Sequence, residues 1–143
     1  MIVLTAEVPP VILTEGSNHP IAMKKKTVLI CDDDPGILEV LDLMIGRHYK
    51  TIAEPDSSKV LQLILTHSPD LLLVDLWMPV LPGDQLTRLI RKEEAGKKIK
   101  IVAISANTDG SAVALSAGAD SFIPKPFEMH ELMNELSRLI DEA

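Results

Sequence analysis

The sequence predicts an α/β fold, an open parallel sheet with helices packed on both faces. From Lys24 onward, five short apolar runs alternate with stretches of helical periodicity. The runs are near-continuous rather than alternating, the pattern of strands covered on both sides. Short connections between successive strand–helix units leave little room for any other arrangement.

The first run, Thr27–Cys31, is followed by Asp34-Pro35, which joins an N-cap oxygen to a pre-set φ and so starts a helix. Ile37, Val40, Leu41, Met44 and Ile45 then recur at the spacing of one buried stripe. Lys50–Ala53 is a weaker second strand. The second helix carries Val60, Leu61, Ile64 and Leu65, with Ser57 or Ser58 as its cap. Leu71–Val74 is the third strand, and Leu86, Leu89 and Ile90 mark a helix running towards Gly96. Ile101–Ile104 is the fourth strand. The Ala-rich stretch Ser111–Ala117, stopped by Gly118, is a marginal helix. Ser121–Ile123 closes the strands, and Leu132, Met133, Leu136, Leu139 and Ile140 give the last helix its stripe.

Chemistry-bearing residues follow these runs directly: Asp32, Asp33 and Asp34 after the first, Asp75 after the third, Ser105 after the fourth and Lys125 just past the fifth. In an open parallel sheet such positions lie at the carboxyl ends of the strands, where ligands bind at the crevice of reversed strand order. If the first and third strands are neighbours, Asp32 and Asp33 face Asp75. Carboxylates so grouped repel one another unless a cation intervenes. Mg²⁺ suits them, since it takes a few carboxylates, keeps waters and accepts phosphate oxygens. One carboxylate can then act as a nucleophile towards a phosphoryl group, whose oxygens would be shared by the metal, Lys125 and Ser105. Asp34 is better read as the helix cap. Taken singly, Ser105 reads as a loop serine and Lys125 as a surface charge; the order and spacing of all of them carry the signal.

Composition narrows the classes. The chain has 143 residues, 46% hydrophobic and 24% charged, room for one domain with a core of aliphatic side chains because aromatics make up only 3%. A net charge of −7 argues against direct nucleic-acid binding. The lone Cys31 cannot form an internal disulfide and sits in an apolar run, as a buried inert thiol does. The four histidines are scattered without zinc-ligand spacing. No apolar run approaches the ~18–20 residues of a membrane span, and the cytoplasm is the expected location. Residues 1–23 lack the basic start and unbroken apolar centre of a secretory signal. They are expected to form a flexible leader, either acquired in cloning or a native arm that docks on a partner, with Met23 as an alternative start. Residues 24–143 are then the folded domain.

Val28-Leu29-Ile30-Cys31-Asp32-Asp33-Asp34-Pro35, Leu73-Val74-Asp75-Leu76-Trp77-Met78-Pro79 with Gly83, Ile104-Ser105-Ala106 and Lys125-Pro126-Phe127 together resemble the receiver domains of two-component response regulators. The resemblance implies a flavodoxin-like (CheY-like), doubly wound five-stranded parallel sheet in the order 2-1-3-4-5. It implies that Asp75 accepts a phosphoryl group from a sensor histidine kinase or a histidine phosphotransfer protein. Asp33 and Asp75 would bind Mg²⁺ (or Mn²⁺) directly, Asp32 through water and Trp77 through its backbone carbonyl. Lys125 would pair with the phosphoryl group, Ser105 would swing in to hydrogen-bond it, and Phe122 would be the aromatic switch that follows. The Lys125-Pro126 bond resembles one that is usually cis in the family. The output would be a protein target or output domain reached in trans through the face made by the fourth helix, last strand and last helix.

Trp77 departs from the smaller or polar residues frequent at its position. Its indole either shields an acyl phosphate or serves partner contact. A phosphohydrolase would carry a second acid there as general acid, and indole cannot donate in that way, so only slow self-dephosphorylation is expected rather than enzyme turnover. A degenerate receiver would have lost an acid or the lysine. A flavin or nucleotide site needs a Gly- or Ser/Thr-rich first loop, and the acids here oppose that.

Overall fold

The computed structural model describes residues 25–107 and 109–141, so the predicted leader lies outside the described residues. Five strands form one parallel sheet: β1 (Thr27–Cys31), β2 (Lys50–Glu54), β3 (Leu71–Asp75), β4 (Lys100–Ser105) and β5 (Ser121–Pro124). Their order is β2-β1-β3-β4-β5, as the resemblance implied. The helices that follow them in turn are α1 (Pro35–Ile45), α2 (Val60–His67), α3 (Gly83–Lys92), α4 (Gly110–Ala117) and α5 (Met129–Asp141).

Alternation along the strands divides the core in two. Val28 and Ile30 of β1 face one side with Leu41 and Ile45 of α1 and Leu132 and Leu136 of α5. Leu29 and Cys31 face the other, with Ile64 of α2, Leu86 and Ile90 of α3 and Ala114 of α4. β3 lies between β1 and β4 and is buried along its whole length, including the terminal Asp75. This central strand is therefore the rigid post on which Asp75 is mounted.

The helix stripes are narrower than the periodicity suggested. Val40, Leu65 and Leu89 are exposed at 54%, 45% and 41%. Leu38 and Thr87 are buried instead, Thr87 by donating its hydroxyl to the Gly83 carbonyl at 2.7 Å. A helix resting on a sheet buries only the side chains aimed at it, so hydrophobic residues at the stripe edge stay in solvent. The cap before α2 also differs. Asp56, not either serine, accepts the Ser58 amide at 2.9 Å, starting a 3₁₀ turn (Ser57–Lys59) that leads into the helix. The third helix stops at Lys92, before Gly96, and a separate 3₁₀ turn (Glu94–Gly96) follows. Among the described residues no helix is long and apolar enough to cross a membrane.

Candidate functional site

Register places the acids. β1 and β3 pair in parallel with Cys31 opposite Val74, so the next residues, Asp32 and Asp75, stand side by side where the two strands end. The connection after β1 bends sharply because Asp32 Oδ1 accepts the Asp34 amide at 2.9 Å. Asp34 Oδ1 in turn accepts the Gly36 and Ile37 amides at 2.9 and 3.2 Å, the capping role expected of it. Asp33 is left exposed at the mouth. Carboxylate oxygens from Asp32, Asp33 and Asp75 lie within 4.8 Å of one another.

Lys125 reaches the same point from the end of β5. Its Nζ donates to Asp75 Oδ2 at 3.0 Å and lies 3.6 Å from Asp32 Oδ2. The Lys125 amide donates to the Ser105 carbonyl at 2.9 Å, tying the lysine to the end of β4, and the Lys125-Pro126 bond is cis. Burial lowers the Lys125 pKa, but the hydrogen bond and charge of Asp75, joined by Asp32, outweigh it and hold the ammonium above its ordinary value. Asp32 is shifted upward, mainly by burial and further by the charges of Asp75 and Asp33, against the pull of the Asp34 amide and Lys125. Its Oδ2 is the buried side-chain oxygen that lacks a hydrogen bond among the described residues.

The loop after β3 is held by backbone contacts. Asp75 Oδ1 accepts the Trp77 amide at 3.0 Å, the Leu76 amide donates to the Ile104 carbonyl at 3.0 Å, and the Gly83 amide donates to the Leu76 carbonyl at 3.1 Å. A Cβ on Gly83 would sit 2.4 Å from the Asp75 carbonyl oxygen, so only glycine lets the start of α3 close over the strand end. Val80 adopts φ 65°, a strained value for a β-branched residue, and its side chain is 83% exposed. The Trp77 indole is also turned to solvent. Below the loop, Met78 Sδ lies 3.5 Å from the buried Cys31 thiol.

Ser105 is fully buried at the end of β4, and its Oγ accepts the Asn107 amide at 3.0 Å. Phe122 is half-buried and packs against the α2–α4 side of the core. Its ring covers Gly110, where a Cβ would lie 2.7 Å from a ring carbon and 3.2 Å from the Ser105 Cβ. Gly110 was not singled out from sequence, because a lone glycine before a weak helix carries no sign of the ring above it. The structure thus gathers Asp32, Asp33, Asp75 and Lys125 into one cluster. Ser105 and Phe122 form an adjoining pair linked through Gly110. The donor set suits a hard cation: oxygen ligands of carboxylate type, one of them buried and without a hydrogen bond.

A 2-1-3-4-5 sheet with acids and a lysine at its switch point is the architecture of a signalling receiver. Residues 28–137 match the response regulator receiver domain, and the chain belongs to that family. It is 36% identical over 121 residues to the response regulator GtcR of Aneurinibacillus migulanus, an alignment covering 82% of this chain and 49% of GtcR. It is 35% identical over 115 residues to the sensor histidine kinase TmoS of Ectopseudomonas mendocina, covering 79% of this chain and 12% of TmoS. The chain thus spans half or less of these relatives. Among solved structures, the receiver domain of a Pseudomonas aeruginosa sensor histidine kinase, with a magnesium ion in its active-site cleft, superposes with a TM-score of 0.76 at 30% identity, covering 82% of this chain and 98% of that one. A Francisella response regulator receiver domain gives 0.75 at 28% identity, with 82% and 98% covered.

Proposed function

We propose that Asp75 is the phosphoacceptor of this receiver and that Asp33 and Asp75 would hold Mg²⁺ there, assisted by Asp32 and the Trp77 backbone carbonyl. The observation that carries this reading is the shared oxygen cluster of Asp32, Asp33 and Asp75, with one buried Asp32 oxygen left for a cation. Mn²⁺ fits the same oxygen set. Bound there, the metal would offset the clustered negative charge and draw charge from the phosphoryl oxygens.

A carboxylate oxygen of Asp75 attacks the phosphorus of a phosphohistidine on a sensor kinase or phosphotransfer protein. The O–P bond forms as the P–N bond breaks, and the imidazole leaves with the electron pair and is protonated. Lys125 releases its hydrogen bond to Asp75 and pairs with the incoming phosphoryl group. Ser105 Oγ turns from the Asn107 amide towards that group, and Phe122 follows into the space that Ser105 leaves. The phosphorylated arrangement is favoured to the extent that it binds these groups better, a population shift read by a downstream protein or output domain. The chemistry is self-modification in the cytoplasm with slow hydrolysis, not turnover of a foreign substrate.

Incubation with Mg²⁺ and acetyl phosphate, followed by intact mass, tests the assignment. One added phosphoryl group is expected, suppressed by chelator and lost in Asp75→Asn. Labelling that persists in Asp75→Asn would overturn it.

A further inference from the structure

The amino ends of β1, β2 and β4 carry the opposite charge to the carboxyl ends of the sheet. Lys25 and Lys26 lead into β1, Lys50 opens β2, and Lys97 and Lys98 precede Lys100 at the start of β4. In a chain of net charge −7 these lysines are concentrated on one edge. Lys26, Lys98 and Lys100 surround a hollow of about 190 Å³ backed by Ile64, Ile99 and Ile140. The acid beside them, Asp70, is engaged, its Oδ2 accepting the Thr27 amide at 2.8 Å. Among the described residues, none of the three lysines has an ion pair or a side-chain hydrogen bond. Lys98 and Lys100 also border a second hollow, where the Arg91 guanidinium meets Asp120, so the cationic rim continues past the first.

We propose that this edge docks an acidic segment of a partner protein. One apolar side chain of the segment enters the hollow beside Ala95 and the lysine stems, and its carboxylates meet Lys26, Lys98 and Lys100. The hollow is smaller than the ~300–1,000 Å³ of small-molecule sites and suits a single side chain. Nucleic acid is a poorer fit, because the hollow offers no aromatic for stacking and no arginine fork for bases. A lipid surface is poorer too: membrane-bound faces insert protruding apolar side chains, and the isoleucines here are at most 5% exposed. Carboxylates flanking one apolar residue match both the charge and the shape.

The hollow and Asp75 lie at opposite ends of β3, whose length is roughly 16 Å at ~3.3 Å per residue. That exceeds the Debye length of about 8 Å at physiological salt. Across that distance the solvated lysines feel little of a charge added at the carboxyl end, so docking here holds a partner rather than reporting the switch. Because the lysines are solvated, binding weakens with added salt.

Titrating the ¹⁵N-labelled full chain with a blocked pentapeptide of two acids, a leucine and two acids tests the proposal. Saturable amide shifts are expected at Ser68, Ile99 and Lys100, with Asp75 and Ser105 unmoved. Lys98→Glu combined with Lys100→Glu should weaken binding at least tenfold while leaving the thermal melt unchanged, and leucine-to-serine replacement in the peptide should weaken it several-fold. Should the double substitution alter the melt, Lys26→Gln supplies the same comparison. The proposal is overturned if the peptide gives no saturable shift or if the lysine variants bind it equally well. It is also overturned if phosphatidylserine vesicles or duplex DNA shift these amides and the peptide does not.

Discussion

Asp32 shows how much a single side chain gives up for the site. It is almost wholly buried, its Oδ2 lacks a hydrogen bond, and the environment favours its neutral form. An ionised carboxylate kept there is a cost to the metal-free fold, because burial and like charges oppose it. Asp32→Asn keeps an oxygen to accept the Asp34 amide and removes the charge. In chelator it should melt higher than the wild type, because the buried charge is gone. It should also lose most of the stabilisation that Mg²⁺ gives the wild type, since ligand binding to the native state alone raises stability by mass action. Thermal melts with and without Mg²⁺ check both, and a lower melt for Asp32→Asn in chelator would contradict the reading. The cluster of Asp32, Asp33, Asp75 and Lys125 was legible in the sequence because each follows an apolar run, and the sheet delivers all such ends to one rim. The orphaned oxygen was not legible, since the hydrogen bonds of a carboxylate depend on contacts that spacing does not encode.

At the scale of elements, two glycines separate backbone from side-chain constraint. At Gly83 a Cβ would meet the backbone of Asp75 and Leu76 at 2.4 to 3.0 Å, atoms fixed in the central strand and its continuation. Gly83→Ala should cost about 1–3 kcal/mol in denaturant melts and displace the loop bearing Trp77, with acetyl phosphate labelling reduced alongside. At Gly110 the obstacles within 3.0 Å are ring carbons of Phe122, the end of a side chain that can rotate. Gly110→Ala should therefore cost less than Gly83→Ala, because the ring can shift where the strand backbone cannot. Its mark should be an altered Phe122 ring environment by NMR, and an unmoved ring would refute the coupling between α4 and β5. β1, β3 and β4 were readable because each is a short, nearly unbroken apolar run, whereas β2, with Lys50, Thr51 and Glu54, showed only weakly. The helix faces were overread at Val40, Leu65 and Leu89, since periodicity finds hydrophobic residues but not the width of the sheet beneath them. The Asp56 cap was missed because two serines next to it satisfy the same local rule.

At the scale of the whole molecule, Cys31 reports on global unfolding. The thiol is 1% exposed at the end of β1, on the face covered by α2 and α3 and beneath Met78, and it cannot meet solvent unless that cover opens. Burial, reinforced by the negative charges of Glu54, Asp32 and Asp56, pushes its pKa from 9.0 up to about 12. The folded state therefore holds the thiol proton more tightly than the unfolded chain. Its contribution to stability is complete below pH 9.0 and declines as pH rises towards about 12, where it is lost. The full contribution is at most on the order of 4 kcal/mol. Denaturant melts between pH 8 and 11 should show wild-type stability falling with a steeper alkaline slope than Cys31→Ala, whose lost packing lowers the curve by a nearly constant amount. In the native protein near pH 8.5, iodoacetamide should modify Cys31 only as fast as the molecule opens, so that labelling accelerates with denaturant in step with unfolding. Rapid labelling without denaturant would mean that the loop bearing Met78 lifts locally, and the thiol would then report that loop instead of the fold.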